Sequence, residues 1–192
     1  MAVYTGLTST TKKHLQLDAG ALFKGFTVGT DTYATAVSGG KLLGATVGGS
    51  TFSATPEVRQ VSVDGVKGPT KGFEVFESWT ATLTTNLKEV TADSVRAALG
   101  AWKAGTTVTG YASVQPTDVA DSHYIDNIVW VGKIVGATDP CMIELKNVLS
   151  LNGFNIQVQD KNEGQVAVTF TAHYDPSDLE AVPFEIFIPA VS

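Results

Sequence analysis

The chain has 192 residues, of which 43% are hydrophobic and 17% are charged, and its formal net charge is −6. A chain of this length can bury a core of its own in one domain, and the composition excludes a disordered protein and a coiled coil. The two commonest residues, Thr with 24 and Val with 23, are β-branched and favour sheet over helix.

The distribution of charge excludes a protein that grips DNA or an anionic membrane. Residues 1–96 carry nine Lys and Arg against eight Asp and Glu, whereas residues 97–192 carry four against eleven. Both kinds of binding need clustered positive charge. No apolar run is long enough to span a membrane, and we expect no secretion signal. Cys141 has no partner for an intrachain disulfide, so we expect a small buried hydrophobic residue in a reducing cytosol.

The N-terminal part of the chain predicts short extended pieces and one long polar segment. Residues 12–24 are interpreted as two extended pieces, broken at Asp18–Gly20. Residues 25–40 contain four glycines among polar residues and predict a loop. A loop of this length is either functional or ordered only by a partner.

The next segment predicts a pair of strands. Residues 41–47 and 51–63 flank Gly48–Gly49, which is interpreted as the turn between them. Asp64–Gly65 predicts a second turn before the next strand.

The strongest local pattern is the strict alternation from Phe73 to Leu87. Odd positions form an apolar face, and even positions form a hydroxyl-rich face. At about 3.3 Å per residue this strand would be ~50 Å long, which exceeds the roughly 40 Å diameter of a compact chain of this size. Either the strand bends or bulges near Glu77–Ser78, or part of it is a hairpin arm packed against another chain.

One α-helix is predicted at about residues 91–102. Thr91 is its expected N-cap, and Asp93 in the first turn suits the helix dipole. The apolar stripe expected to face a sheet consists of Val95, Ala98, Leu99 and Trp102. A polar loop over residues 103–122, with a possible strand at 106–112, is expected to follow.

Strands are predicted in close succession from residue 123 to the end. YIDNIVWVGKIVG is apolar on both faces, as a central strand is. CMIELKNVL follows, then FNIQVQD and QVAVTFTAHY joined by a loop at Lys161–Gly164, and finally PFEIFIP between two prolines. The predicted fold is mainly β: an antiparallel sandwich or barrel core with one flanking helix and long hairpin arms, in a single domain.

No motif predicts catalysis, a cofactor or a metal site. Gly44–Thr51 lacks the lysine of a phosphate-binding loop, and the three histidines are far apart in sequence. The carboxylates Asp175, Asp178 and Glu180 are interpreted as a solvated turn in preference to a calcium site or a catalytic pair. We therefore expect no catalytic, cofactor-binding or metal-binding residue.

A family resemblance is carried by eight segments spread over nearly the whole chain. They are LDAGAL (17–22), LLGATVGGSTF (42–52), VDGVKGPTKG (63–72), NIVWVGK (127–133), IELKNVLSLNGF (143–154), DKNEGQVAV (160–168), TAHYDP (171–176) and VPFEIFIP (182–189). In this order they resemble the major tail tube protein of tailed bacteriophages, of the type common in phages of Gram-positive bacteria.

The resemblance implies a non-enzymatic structural protein of the virion, assembled in the cytoplasm of the host bacterium. Its subunits would form hexameric rings that stack into a hollow tube. Implied partners are further copies of the chain, the tape measure protein, the tail terminator and distal tail proteins, with no membrane. Double-stranded DNA would pass through the lumen without specific binding. Alternatives are the tube subunit of a contractile bacteriocin or secretion-like particle, whose fold is similar, a carbohydrate-binding β-sandwich module, and a hydrolase with paired carboxylates.

Candidate assembly residues come from the alternating strand and the polar loops. The Gly72–Lys88 arm, with its partner at 51–63, is expected to form lumen wall and subunit interface, because a hydroxyl-rich face suits a wet lumen. The expected residues are Phe73, Val75, Ser78, Trp79, Thr80, Thr82, Leu83, Thr84 and Asn86. Residues 25–50 and 103–122 are expected to stack rings, with Asp31, Tyr33, Ser38, Gly39 and Gly40 in the stacking loop 25–40. Residues 1–16 are expected to form an N-terminal arm.

Overall fold

The computed structural model of the protein describes residues 5–191, so residues 1–4 of the expected N-terminal arm lie outside the described part. The described residues form ten strands: β1 (Ala21–Lys24), β2 (Thr46–Gln60), β3 (Glu74–Leu87), β4 (Trp102–Ala104), β5 (Val114–Pro116), β6 (Ile125–Gly132), β7 (Cys141–Ser150), β8 (Asn155–Gln159), β9 (Asn162–Thr171) and β10 (Phe184–Phe187). Two α-helices, α1 (Tyr33–Ser38) and α2 (Ala92–Leu99), accompany 3₁₀ turns at Thr11–His14 and Asp121–His123. The mainly β, antiparallel fold class is confirmed.

Eight of the strands form two antiparallel layers. The long sheet has the order β2-β3-β9-β8, and the short sheet has the order β1-β6-β7-β10. The two are continuous where Leu149 and Ser150 at the end of β7 pair with β9. Their facing side chains form one core, which includes Leu22, Ile128 and Leu145 from the short sheet and Leu83, Val168 and Phe170 from the long sheet. The sandwich architecture follows from this shared core.

Strand β6 is central, as its two apolar faces predict. Residues 128–132 are all buried. Ile128 points into the core shared with the long sheet, whereas Val129 belongs to a second cluster on the opposite face of the short sheet. Phe26 and Ala36 from the 25–40 segment complete this second cluster. The 25–40 segment therefore covers the outer face of the short sheet.

The expectation of an unstructured loop at 25–40 is wrong for its second half. Helix α1 occupies Tyr33–Ser38, and a second helix was not predicted. Thr32 is its N-cap: the Thr32 hydroxyl accepts from the Thr35 backbone N–H, and the Thr35 hydroxyl accepts from the Thr32 backbone N–H. The helix is short enough that only Ala36 is buried, which explains why hydrophobic periodicity did not predict it.

Helix α2 begins at the predicted N-cap, Thr91, but its end and its buried face differ from the prediction. It ends at Leu99, and Trp102 starts β4. Gly100 stops the helix with a φ of 75°, and a Cβ at this position would collide with the carbonyl oxygen of Ser150. The buried stripe is Ser94, Ala97 and Ala98. These small residues let the helix approach β7 and β9 closely, which the larger Val95 and Leu99 would prevent.

The turn predicted at Gly48–Gly49 is also wrong. Strand β2 continues through both glycines, and its register against β3 shifts between Val47 and Ser50. Both glycines have positive φ, 76° and 78°, and form a bulge in one strand. The turn at Asp64–Gly65 is confirmed between β2 and β3.

Three smaller predictions need correction. Residues 11–14 form a 3₁₀ turn where an extended piece was expected. Residues 106–112 connect β4 to β5 and contain no strand, because the extended residues pair outside this range, at 102–104 and 114–116. The loop at Lys161–Gly164 shrinks to a tight turn at Asp160–Lys161, since Gln159 already pairs with Asn162. The other C-terminal strands lie where the sequence predicts them.

Candidate assembly surface

The β2–β3 hairpin extends beyond the body of the protein. Its outer part, residues 56–77, is called the hairpin arm here, and none of its residues is buried. Buried positions in β3 begin only at Ala81. Phe73, Val75 and Phe76 are 40%, 40% and 51% exposed. The predicted overhang of this strand is therefore present, with apolar side chains in solvent on both faces.

The bulge near Glu77–Ser78, one of the two alternatives left open for this strand, is present, and it reverses the arm's faces. Ser78 pairs with Glu57 and Phe76 pairs with Val58, so Glu77 is the extra residue in β3. Phe76 consequently shares the face of Trp79, with ring centroids 5.8 Å apart.

The single apolar face predicted for Phe73, Val75, Trp79 and Leu83 is therefore wrong. Strict alternation ends at the bulge, because one unpaired residue moves every earlier side chain to the other face of the strand. Phe73 and Val75 share the side of Ser78 and Thr80, opposite Trp79.

Two of the expected interface residues belong to the chain's own core. Leu83 is 1% exposed and packs between the two sheets, so it is not available as an interface residue. Trp79 is half-buried: its ring lies 5.6 Å from that of Phe184, and its backbone N–H donates to the Tyr174 hydroxyl at 2.8 Å. Trp79 closes the core at the base of the hairpin arm.

The hydroxyl-rich face of β3 continues across its neighbours. Thr84 pairs with Thr51 on β2 and with Thr169 on β9. The hydroxyl oxygens of Thr84 and Thr169 are 3.1 Å apart. The hydroxyl surface, as it is called below, comprises Thr51, Ser53, Thr55, Thr80, Thr82, Thr84, Asn86, Thr169 and Thr171, whose register places them on one side. It is the free face of the long sheet and contains no charged residue.

Charged residues flank the hydroxyl surface at its two ends: Glu57 accepts a hydrogen bond from the Ser78 hydroxyl at 3.2 Å, and two ion pairs lie nearby. Arg59 Nε lies 2.8 Å from Glu77 Oε1 at the hairpin arm, and Lys88 Nζ lies 2.6 Å from Glu163 Oε2 at the other end. The hydrogen bond from Lys88 lowers the pKa of Glu163, which keeps this carboxylate charged and paired at neutral pH.

A second exposed apolar region lies at the opposite end of the long sheet. Phe154, Ile156 and Val158 on and beside β8 are 38%, 38% and 72% exposed. Strand β8 pairs with residues 162–167 of β9, of which 162–165 run beyond the end of β3. Strands β2 and β8 each pair on one side only within residues 5–191, so both edges of the long sheet are open.

The expected stacking residues hold the 25–40 segment on the short sheet. The Asp31 carboxylate accepts from the Thr27 backbone N–H at 2.7 Å and from Lys41 at 2.5 Å, and these bonds, the one from Lys41 foremost, lower its pKa. The Tyr33 ring packs edge-on against Phe23.

The other three members of this set end helix α1. The Ser38 hydroxyl and the Gly39 N–H both donate to the Thr35 carbonyl, and Gly40 takes a φ of 68°. This packing accounts for the segment's length without a partner. Tyr33, at 58% exposure, keeps an accessible face.

The carboxylates near the C-terminus form a turn, as predicted. The Asp175 carboxylate accepts from the hydroxyl and the backbone N–H of Ser177, and these hydrogen bonds lower its pKa. The backbones of Asp175 and Asp178 form an isolated β-bridge. Among residues 5–191, no group of three or more His, Cys, Asp or Glu side chains is placed to hold a metal ion. No helix in that range is long and apolar enough to cross a membrane.

Comparison with known proteins identifies no relative from which a function could be transferred. No protein-family model matches the sequence, and no curated protein is found to be similar to it.

Proposed function

We propose that this protein is the repeating subunit of a hollow tube built from stacked rings, the tail tube of a bacteriophage virion. The observation that carries the proposal is the long sheet itself, which has two open edges and exposed apolar residues at opposite ends. Hexameric rings, the tape measure protein, the terminator and distal tail proteins, and assembly in the bacterial host are the parts of this proposal that the family resemblance supplies.

The two open edges suit ring closure. The order β2-β3-β9-β8 alternates in direction at every step, because each pair is antiparallel. Strand β2 of one copy would therefore meet β8 of the next copy in antiparallel orientation. Repeating this contact closes a barrel with no open edge, which removes the aggregation hazard of two unpaired strands.

The two exposed apolar ends suit stacking. The hairpin arm lies at one end of the long sheet, and Phe154, Ile156 and Val158 lie at the other. A contact between unlike patches of identical chains is heterologous, and where it does not close into a ring it propagates along an axis. The hairpin arm is thus our proposed stacking element, together with the expected segment at 103–122, whereas residues 25–40 are held on the short sheet.

The hydroxyl surface is our proposed lumen wall. The opposite face of the long sheet packs on the short sheet, so only the hydroxyl surface can line a barrel interior. A wall of Thr, Ser and Asn side chains is wetted by water and carries no positive charge to bind phosphates. DNA would pass along such a wall without adhering.

Electron microscopy of the purified protein tests this proposal. Concentrated protein should form rings or tubes in negative stain, and Phe76→Asp in the hairpin arm should prevent stacking because it places a charge in an apolar contact. Leu179→Asp, at a residue that is 68% exposed and outside the long sheet and the proposed stacking segments, is the matched control and should assemble normally. A wild-type protein that stays monomeric at all concentrations would show the proposal to be wrong.

The alternatives separate in the same experiment. A subunit of a contractile bacteriocin or secretion-like particle would also form tubes, and the particle isolated from its source distinguishes these cases. A carbohydrate-binding module has no comparable support. Trp130 is 6% exposed, Trp102 lies under the Arg96 guanidinium at 4.5 Å, and Trp79 packs on Phe184.

A further inference from the structure

An apolar groove lies between the 25–40 segment and the short sheet. Its volume is about 850 Å³, and its lining includes Gly20, Phe26, Tyr33, Val131, Pro140 and Met142. Phe26 and Val131 at its base belong to the buried cluster on that face of the sheet. The groove is separate from the hydroxyl surface, which lies on the other side of the sandwich.

The chain also carries a polar segment whose three leucine side chains are left uncovered by the body of the protein. Residues 5–17 precede β1, and within them Leu7, Leu15 and Leu17 are 76%, 42% and 70% exposed. The segment is held through its backbone. Gln16 forms an antiparallel β-bridge with Ile134, and the Gly136 N–H donates to the Lys13 carbonyl at 2.8 Å. These bonds fix the base of the segment and leave its leucine side chains in solvent.

The charges of the groove and of the segment are complementary. Three carboxylates line the groove, of which Asp31 is already paired with Lys41, so Asp18 and Asp139 remain against one ammonium group, Lys133. The segment contains Lys12 and Lys13 and no carboxylate. Complementary charge around an apolar contact favours one partner and one orientation over others.

The geometry disfavours occupation by the chain's own segment. Asp18 lies in the groove wall, so Leu15 and Leu17 start directly beside the groove, yet both remain exposed. Leu7, which is farthest from the backbone anchor at Lys13–Gln16, is the leucine free to reach another molecule.

We propose that this groove binds the N-terminal segment of a second copy of the chain, with Leu7 as the inserted side chain. The inference rests on the proposed self-assembly, and it adds a contact made by the outer layer of the sandwich. Because groove and segment are different surfaces of the same chain, this contact is also heterologous, and it can link successive copies in one direction.

Cross-linking between two variants that each carry one introduced cysteine tests the inference; the native Cys141 is buried. Leu7→Cys and Thr138→Cys are prepared separately, mixed under assembly conditions and treated with a short bismaleimide. Thr138 is exposed and lines the groove. A covalent product containing one copy of each variant is expected, at least tenfold above the mixture of Leu7→Cys with Thr117→Cys. Thr117 is equally exposed but lies outside the groove.

Two results would overturn the inference. One is a yield no higher than that of the Thr117→Cys control. The other is a double variant, Leu7→Cys with Thr138→Cys, that links only within one chain at high dilution while the mixture yields nothing. Micrographs of the same samples separate the two proposals. Tubes without the cross-linked product contradict only the binding of the N-terminal segment in the groove, and the absence of any assembly contradicts the proposed tube.

Discussion

Ser94 is a fully buried polar residue that fixes the start of α2. Its hydroxyl donates to the Glu89 carbonyl and accepts from the Thr91 N–H, both at 2.8 Å, while the Thr91 hydroxyl accepts from the Ser94 N–H. The sequence predicted Thr91 as N-cap but not this role of Ser94, because hydrophobic periodicity assigns no buried position to a serine.

Replacing Ser94 with alanine should destabilise the folded subunit. The substitution removes both hydroxyl contacts and leaves the Glu89 carbonyl without its partner, at a cost of about 1–3 kcal/mol. Urea denaturation of dilute, unassembled protein measures the free energy of unfolding without the contribution of self-association. Ser53→Ala, at an exposed position of the hydroxyl surface, should change it little. Equal effects of the two substitutions would contradict the role assigned to Ser94.

At the scale of elements, local patterns predicted which residues are extended but not how the strands pair. The alternation in β3 predicted the strand and its overhang, and it left a bulge near Glu77–Ser78 as one of two alternatives. It could not predict that Phe73 and Val75 change sides, because the location of an unpaired residue depends on the partner strand. Gly48–Gly49 shows the same limit: two glycines suit a turn or a bulge equally, and the continuation of β3 opposite them decides for the bulge.

The same limit applies to the candidate assembly surface. The hydroxyl-rich residues of β3 could be predicted from period-two alternation alone. The contributions of Thr51 and Thr169 could not, since they arise from pairing between strands that are distant in sequence. One local signal does predict the start of α1: Thr32 and Thr35 have the spacing of a capping box.

Inserting one threonine between Glu57 and Val58 should disrupt assembly while leaving the core folded. The insertion gives Glu77 a partner on β2, which removes the bulge, moves Phe76 to the face opposite Trp79 and exchanges the two faces of the hairpin arm. We expect the thermal unfolding of unassembled protein to change little, because every residue of the arm is outside the core. Sedimentation should show loss of tubes.

Glu77→Ala is the matched control for this insertion. It keeps the bulge and loses only the exposed ion pair with Arg59, which contributes about 0–1 kcal/mol. This variant should form tubes as the wild type does. Normal tubes from the insertion variant would mean that the orientation of the arm does not matter for assembly.

At the scale of the whole molecule, the layers are arranged in a definite order. The hydroxyl surface forms one side of the sandwich, and α1 with the 25–40 segment covers the other. A tube built from the edges of the long sheet must therefore carry one of these sides inward and the other outward. The uncharged character of the hydroxyl surface favours the inward position, because a wall without positive charge does not bind the phosphates of DNA. The charges that make up the net charge of −6 then lie away from the DNA.

Maleimide labelling of assembled tubes can determine which side is inside. Thr84→Cys lies on the hydroxyl surface and Ser38→Cys on α1, and both positions are exposed in the subunit. A polyethylene-glycol maleimide too bulky to enter the tube should label both variants when dissociated, but only Ser38→Cys when assembled. The native Cys141 gives little background, because burial raises the pKa of its thiol and leaves little of the reactive thiolate. Labelling of Thr84→Cys in intact tubes would place the hydroxyl surface outside, and protection of Ser38→Cys would return the 25–40 segment to the stacking contact.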